Sequence, residues 1–91
     1  MTYRLSITVP HSETLTLSDS DVSAGFVELA TRAADSSVEI ELYGVAQRVN
    51  VDFRTEVYEG KTRIVFLGPL AAEGQSAVEV GEQVFVRYLT L

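Results

Sequence analysis

Apolar and polar side chains alternate along most of the chain, which is the pattern of β-strands with one face against a core. The alternation runs through residues 3–9, 14–17, 38–67 and 83–91. Residues 18–34 differ, because their apolar side chains recur with the 3.6-residue period of an amphipathic helix. The pattern therefore predicts one helix among strands.

The predicted helix has a defined start. Ser18 is a preferred N-cap residue, and Asp21 three residues later completes a weak capping box. Gly25 disagrees, since glycine inside a helix costs about 1 kcal/mol relative to alanine, and we interpret it as a close contact between helix and strand. The apolar stripe consists of Val22, Phe26, Leu29 and Ala33. We expect a helix of more than two turns, with Phe26 as its bulkiest core residue.

Two turn signals, at residues 43–44 (Tyr-Gly) and 59–60 (Glu-Gly), interrupt the alternation in the middle of the chain. Pairing the segments across each turn places apolar side chains together on one face and opposite charges together on the other. The predicted pairs are Leu42 with Val45, Ile40 with Gln47, Val38 with Val49, Phe53 with Phe66, Thr55 with Ile64, Val57 with Thr62, Glu39 with Arg48 and Glu56 with Arg63. These registers predict a three-stranded meander over residues 38–67, in which residues 49–57 form one continuous strand.

Each end of the chain predicts a further hairpin. Residues 3–9 and 14–17 pair around a turn at residues 10–13, and this order of hairpin then helix resembles the opening of the β-grasp fold. Residues 77–80 and 83–91 form the second hairpin. The last strand is apolar on both faces, so we expect it to be central and covered on both sides, by the sheet itself or by another subunit.

We therefore predict one α+β domain over residues 1–91. It consists of a mainly antiparallel sheet, flat or curled toward a barrel, packed on a single helix. The order of elements is β-hairpin, helix, β-meander and C-terminal hairpin. The composition agrees with a globular chain, since 46% of the residues are apolar and 22% are charged.

Charge and residue types argue against several classes of function. With 13 acidic against 7 basic residues, the net charge of −6 disfavours binding of duplex nucleic acid or a membrane surface through a basic patch. No apolar run approaches the roughly 20 residues of a membrane span, and the first ten residues lack the pattern of a secretion signal. The absence of cysteine fits a reducing compartment. We expect a cytoplasmic protein.

Candidate catalytic and ligand-binding residues are sparse. His11 is the single histidine, so a metal site with two histidine ligands cannot form, and we expect a solvated turn residue. The serines have no histidine partner in a nucleophile arrangement, and no pair of carboxylates has the placement of a glycosidase site. The sequence EGKT at residues 59–62 lacks the upstream glycine of a phosphate-binding loop, because Thr55 stands there. We therefore expect no catalysis, no cofactor and no metal.

The predicted binding surface is acidic. Asp21, Glu28 and Asp35 lie on or beside the predicted helix, and Tyr88 belongs to the strand that is apolar on both faces. We expect these four residues to contact a partner. The leading hypothesis is a non-enzymatic protein-binding module, an acidic adaptor or small inhibitor of a partner protein, which could be one with a basic nucleic-acid-binding surface. The alternatives are a structural subunit of a homo-oligomeric assembly and a small enzyme or ligand-binding barrel; solubility alone also explains an acidic helix.

Aromatic side chains beside the turns are a second candidate surface. Tyr43 and Tyr58 lie next to predicted turns, whereas the phenylalanines fall on predicted core positions. Proteins that bind single-stranded nucleic acid stack bases on aromatic side chains in a basic groove. Because the charges around these two tyrosines are mixed in sign, we interpret them as tyrosines at turn edges.

Overall fold

Antiparallel strands are the main secondary structure of the described residues, as the alternation of side chains predicts. The computed structural model describes residues 9–90 except Asp35, Ala72 and Gln75. The strands are β1 (Val9–Thr16), β2 (Phe26–Glu28), β3 (Glu39–Leu42), β4 (Val45–Ala46), β5 (Phe53–Tyr58), β6 (Lys61–Phe66) and β7 (Gln83–Thr90). The predicted strand at residues 3–9 lies outside the described residues except for its last position.

The strands form two sheets that enclose one core. The four-stranded sheet has the order β1-β7-β3-β4, and the three-stranded sheet has the order β2-β6-β5. Neither sheet closes into a barrel in the described part of the chain, so the barrel-like alternative is wrong. The core residues come from both sheets and their connections: Leu17, Val27, Leu29, Ala33, Ile40, Leu42, Phe53, Ile64, Phe66, Leu70, Val78, Val84, Val86 and Tyr88. The core therefore lies between two sheets rather than between a sheet and a helix.

The helix is much shorter than the periodicity predicts. It is α1 (Asp19–Ala24), six residues with none buried. Later in the described part of the chain, a 3₁₀ turn spans Gly68–Leu70. The capping box is confirmed: Ser18 N–H donates to the Asp21 carboxylate at 2.9 Å. Gly25 ends the helix in the left-handed conformation (φ 79°), where glycine carries no Cβ penalty. The expectation of more than two turns is wrong, because the chain leaves this C-cap as a strand.

Phe26 is consequently not a core residue of a helix. It lies in β2, where the alternation points Val27 into the core and Phe26 to the outer face of the three-stranded sheet. There the Arg63 guanidinium lies 4.3 Å from the centre of its ring. The apolar stripe of the predicted helix was thus produced by residues that alternate across a strand and its continuation.

The segment after β2 carries the chain from one sheet to the other. Leu29 N–H donates to the Thr62 carbonyl at 2.8 Å, which continues the pairing of β2 with β6. Four residues later, Ala33 forms a bridge with Thr90 of β7, and its N–H donates to Thr62 Oγ1 at 2.9 Å. Ala33 therefore touches both sheets and fixes their spacing at this end of the molecule.

Both central hairpins are confirmed in register beside their turns, but the predicted pairs of Val38 with Val49 and of Glu39 with Arg48 are not among the pairs of the first hairpin. Around the first turn Leu42 faces Val45, and Gln47 N–H donates to the Ile40 carbonyl at 2.9 Å. The confirmed pairs of the second hairpin are Phe53 with Phe66, Thr55 with Ile64, Glu56 with Arg63 and Val57 with Thr62. Each hairpin belongs to a different sheet, however, so the single three-stranded meander is wrong.

The error lies in the predicted continuous strand at residues 49–57. The chain turns before β5, because the Asp52 carboxylate accepts the Arg48 N–H at 2.8 Å and Asn50 adopts a positive φ of 63°. Val49 and Val51, expected on an inner row, are exposed in this turn. Glu39 has no partner in β4, and on its other side it faces Arg87 of β7.

The two terminal hairpins are also corrected. β1 runs through the predicted turn at residues 10–13 and pairs with β7 along its whole length, so the β-grasp order does not apply. Residues 77–80 form no strand, and β7 pairs with β1 and β3 instead. The central position of β7 is confirmed. Only its inner row is covered, since Phe85 and Leu89 on the outer row are 36% and 38% exposed.

Candidate functional site

The most unusual side chain of the described surface stands at the tip of the first hairpin. Tyr43 and Gly44 both have positive φ, 53° and 76°, as the turn between twisted antiparallel strands requires. Asparagine, aspartate and glycine suit these positions, whereas a bulky residue with positive φ is strained. Tyr43 is nonetheless 81% exposed and packs into no core. The backbone geometry of the turn does not explain a tyrosine here, so its exposed side chain is a candidate for function.

Two open depressions flank this tyrosine. One, of about 690 Å³, lies on the outer face of the four-stranded sheet and is bordered by Glu41, Val80 and Phe85. The other, of about 630 Å³, lies on the flank of the molecule, between β4 and the chain after Gly68–Leu70. Tyr43, Glu79 and Glu82 border both depressions. We define the Tyr43 surface as Tyr43, Glu79, Val80, Glu82 and Phe85.

The Tyr43 surface is negatively charged and apolar at once. Glu41, next to it, pairs with Arg87 at 3.2 Å. By contrast, the ion pairs found among the described residues include neither Glu79 nor Glu82. Partial desolvation of the phenol, then the negative charge of Glu82 and its hydrogen bond with the phenol, and last the negative charge of Glu79, raise the pKa of Tyr43 above its ordinary value. A cation approaching the ring would therefore meet two carboxylates that form no ion pair in this part of the chain.

A cluster on the other hairpin shows how this protein holds a cation. The Arg63 guanidinium lies 3.8 Å from the centre of the Tyr58 ring and stacks on Phe26 as well. Glu28 and Glu56 pair with the same guanidinium at 3.3 and 3.9 Å. We call these five residues the Arg63 cluster. Aromatic faces and carboxylates converge there on one arginine, which is the arrangement that cation–π attraction and ion pairing favour together.

Of the four residues predicted to bind a partner, the three that the structure describes do not share a surface. Asp21 caps α1, and Glu28 belongs to β2 and the Arg63 cluster, so no acidic helix face carries both. Asp35 lies outside the described residues. Tyr88 is buried on the inner face of the four-stranded sheet. Their contact with a partner stays a prediction, but the helix face expected to present them is not formed.

Tyr88 takes part in a polar network inside the sandwich. Its hydroxyl donates to the Glu13 carboxylate and lies 3.2 Å from Thr31 Oγ1. Glu13 also accepts the Ala30 N–H at 3.2 Å, and His11 Nε2 lies 3.8 Å from the same carboxylate. Burial of the phenol, and next its hydrogen bond to Glu13, raises the pKa of Tyr88. The network ties β1 to the segment that crosses between the sheets. His11 belongs to β1, and therefore it lies in a strand and not in the predicted turn.

Two classes of feature are not found in the described part of the chain. Its histidine, aspartate and glutamate side chains include no group of three placed to hold a metal ion. None of its helices has the length and apolar character needed to cross a bilayer.

Comparison with known proteins adds no information about the fold or function. No family model, curated protein or solved structure matches the chain. The functional interpretation therefore depends on the geometry of the surface.

Sequence reasoning found the turn at Tyr43 but not the surface around it. The available signal was local: a large aromatic residue precedes glycine at a turn where asparagine or aspartate is favoured. The neighbours Glu79 and Glu82 could not be assigned to this surface, because they reach it only through the placement of β7 between β1 and β3.

Proposed function

We propose that the protein is a non-enzymatic protein-binding module that takes a basic segment of a partner protein at the Tyr43 surface. The observation that carries the proposal is an exposed tyrosine on a strained turn, between two depressions bordered by Glu79 and Glu82. The net charge of −6 supports a basic partner, because opposite charge steers association.

The chemistry follows from the Arg63 cluster. A lysine or arginine of the partner stacks on the Tyr43 ring, as Arg63 stacks on Tyr58. Glu79 and Glu82 then supply the carboxylates that Glu28 and Glu56 supply to Arg63. Apolar side chains next to the partner's cation contact Val80 and Phe85, which are both exposed. The recognised sequence therefore combines a cation with a neighbouring apolar residue.

The shape of the surface favours a polypeptide over a small molecule. Small-molecule sites are concave and bury 70–90% of their ligand. The two depressions are instead open, and both border the exposed Tyr43. An extended segment can cross the tyrosine and place a side chain in each depression, which a compact ligand cannot do.

A displayed library of random twelve-residue peptides tests this proposal without knowledge of the partner. We expect the wild-type protein to enrich peptides with lysine or arginine next to an apolar residue. Tyr43→Asn keeps a residue suited to positive φ, so the turn is retained while the ring is lost. Glu59→Asn makes the same change at the other hairpin tip and is the matched control.

The enriched peptides should bind the Glu59→Asn variant as they bind the wild type, and bind Tyr43→Asn at least about tenfold more weakly. Glu79→Gln with Glu82→Gln should weaken binding and reduce its dependence on salt, because exposed charge pairs are screened by ions. Enrichment of acidic peptides, or equal binding by Tyr43→Asn, would contradict the proposal.

A homo-oligomeric structural subunit is the second candidate. It is favoured by the outer row of β7, where Phe85 and Leu89 stand partly exposed in the middle of the four-stranded sheet. A second copy on this face would cover both side chains. Mass measured in solution over a range of concentrations tests it: an oligomer that resists dilution and is dissociated by Leu89→Lys supports it, and a monomer at all concentrations contradicts it.

A further inference from the structure

The described chain itself contains a basic side chain of the kind that the Tyr43 surface is proposed to take. Four basic residues form ion pairs within the molecule: Arg54, Lys61, Arg63 and Arg87. The ion pairs among the described residues include neither Arg32 nor Arg48. Arg32 precedes the buried Ala33, whereas the exposed Arg48 is followed by Val49, which is exposed as well. Arg48 and Val49 therefore combine a cation with a neighbouring apolar residue.

Arg48 begins the turn at the far end of the depression beside β4. This depression, of about 630 Å³, is bordered by Tyr43 at the hairpin tip and by Gln47 and Asp52 at the turn. Arg48 lies four residues after Gly44, which is about 13 Å of extended chain. The Asp52 carboxylate accepts the Arg48 N–H at 2.8 Å and so holds the turn. The Tyr43 surface and the exposed arginine therefore lie at opposite ends of one depression.

Exposed apolar side chains connect the two ends. Val45 borders the depression between them, and Val49 and Val51 belong to the turn. Like Val80 of the Tyr43 surface, each of these valines is more than half exposed. Exposed apolar side chains grouped in this way are typical of interaction surfaces. We define the β4 flank as the Tyr43 surface together with Val45, Arg48, Val49 and Val51.

Two-fold symmetry brings these complementary ends together. In a two-fold dimer, every contact between a residue of one copy and a residue of the other occurs twice, once in each direction. Because both ends lie on one flank, a copy turned by 180° places its Arg48 on the first copy's Tyr43 surface and receives the first copy's Arg48 on its own. We propose that the basic partner of the Tyr43 surface is a second copy of this chain, in a two-fold dimer of β4 flanks. This inference rests on the proposed function, whose partner it names.

Each contact of this dimer repeats the chemistry of the Arg63 cluster between two copies. Arg48 of one copy stacks on the Tyr43 ring of the other and lies beside its Glu79 and Glu82. No ion pair among the described residues has to break, because none includes these three charged side chains. The valines of the turn cover the apolar part of the Tyr43 surface. Two copies with a net charge of −6 repel each other at long range, so these local pairs determine the affinity of the dimer.

Charge reversal in the full-length chain tests the dimer. One variant is Arg48→Glu, and the other, the double variant, combines Glu79→Lys with Glu82→Lys. In a dimer of either variant alone, both contacts join like charges. In a mixed dimer of the two variants, both contacts join opposite charges. The mixture should therefore associate more tightly than either variant alone.

Sedimentation over a range of concentrations measures this association. We expect each variant alone to self-associate at least about tenfold more weakly than the wild type, since like charges placed together at an interface reduce affinity. The mixture should form a one-to-one dimer whose affinity is within about threefold of the wild-type value, because opposite charges meet again at both contacts. A mixture that associates no more tightly than the separate variants would overturn the proposal.

Arg32→Glu is the matched control, because it makes the same charge change at an exposed arginine outside the β4 flank. Its self-association should equal that of the wild type, and it should bind the double variant more weakly than Arg48→Glu does. Leu89→Lys should also leave the dimer intact, since Leu89 lies on β7 and not on the β4 flank. Dissociation by Arg32→Glu to the same extent as by Arg48→Glu would show that net charge, and not this contact, controls the association.

Amide shifts locate the contact and separate this inference from the proposed function. When isotope-labelled Arg48→Glu is titrated with the unlabelled double variant, we expect the largest changes at Tyr43, Gly44, Val49 and Val51. A wild type that is monomeric at all concentrations, or changes centred on Leu89, would overturn the inference. If basic peptides from the displayed library then still bind the wild type and not Tyr43→Asn, the proposed function stands with a different protein as the partner.

Discussion

The two central hairpins have the same turn and opposite roles. At both tips the two central residues have positive φ, 53° and 76° at Tyr43-Gly44 and 50° and 79° at Glu59-Gly60. The second hairpin, β5–β6, has six paired positions and buries Phe53. The first, β3–β4, has two, and its tip projects. The same turn geometry therefore joins two long strands that bury Phe53 in one sheet and exposes the Tyr43 side chain in the other.

The charged and aromatic side chains around the two hairpins also differ. The carboxylates and aromatic faces of the Arg63 cluster are satisfied by cations of the chain itself, Arg63 together with Arg54 and Lys61. At the Tyr43 surface Arg87 lies 5.8 Å from the centre of the Phe85 ring, but among the described residues no arginine or lysine pairs with Glu79 or Glu82. This difference is the basis of our proposal that the first hairpin meets a cation of a partner.

The largest expected contrast is in stability. Phe53→Ala should lower the free energy of unfolding by about 3–5 kcal/mol, because it removes a large, fully buried side chain. Val45→Ala in the first hairpin should change it by less than about 0.5 kcal/mol, since Val45 is 62% exposed. Denaturant melts of both variants make the comparison, and similar losses would show that the two hairpins contribute equally to the core.

The glycines of the two turns should behave alike. Gly44→Ala and Gly60→Ala each force a Cβ into the left-handed region, at a cost of about 1–2 kcal/mol. A Cβ at either position meets no atom within 4 Å, so no steric clash adds to this cost. Thermal melts should show equal losses, whereas a much larger loss at Gly44 would reveal a packing role for the Tyr43 tip.

Relief of strain should be measurable at both tips. Tyr43→Asn replaces a residue disfavoured at positive φ by one that accepts it, so stability should rise by a few tenths to about 1 kcal/mol. Glu59→Asn should give a similar or smaller gain. If Tyr43→Asn instead destabilises the protein, the tyrosine stabilises the fold and the argument from strain is lost.

The smallest effect concerns ionisation of the Tyr43 phenol. The negative charge of Glu82 contributes to the raised pKa of Tyr43, so Glu82→Gln should lower that pKa toward the ordinary tyrosine value. Glu59→Gln at the other tip should leave it unchanged. Ultraviolet difference titration, with the Tyr43→Asn variant used to assign the signal, makes the measurement. If the pKa of Tyr43 shifts after Glu59→Gln but not after Glu82→Gln, Glu82 does not set the charge environment of the Tyr43 tip, which would contradict this prediction.

The parts of the fold that sequence predicted are those fixed by local chemistry. The capping box at Ser18 and the registers of both central hairpins beside their turns depend on neighbouring residues and turn geometry, and all are confirmed. Gly25 marks the end of the helix, as glycine at a C-cap does. The helical spacing of Val22 and Phe26 predicted that the helix continues past Gly25, but Phe26 belongs to a strand that follows the cap.

The incorrect predictions share a different cause. The sequence shows which side chains alternate but not which sheet a strand joins, so the turn made by Asn50 and Asp52 was hidden inside a regular alternation. In β1, Glu13 faces inward because Tyr88 and the Ala30 N–H satisfy it, and these partners are distant in sequence. The Tyr43 surface likewise joins residues from separate segments, which only the sheet order brings together.

Mapping of peptide contacts by NMR tests the central claim most directly. A basic peptide enriched from the displayed library is titrated into the isotope-labelled full-length protein, and amide shifts are followed. We expect the largest changes at Tyr43, Gly44, Val80, Gly81 and Phe85, with none at Glu59 or Gly60. Changes centred on the Glu59 tip, or spread over the surface without a maximum at Tyr43, would contradict the account.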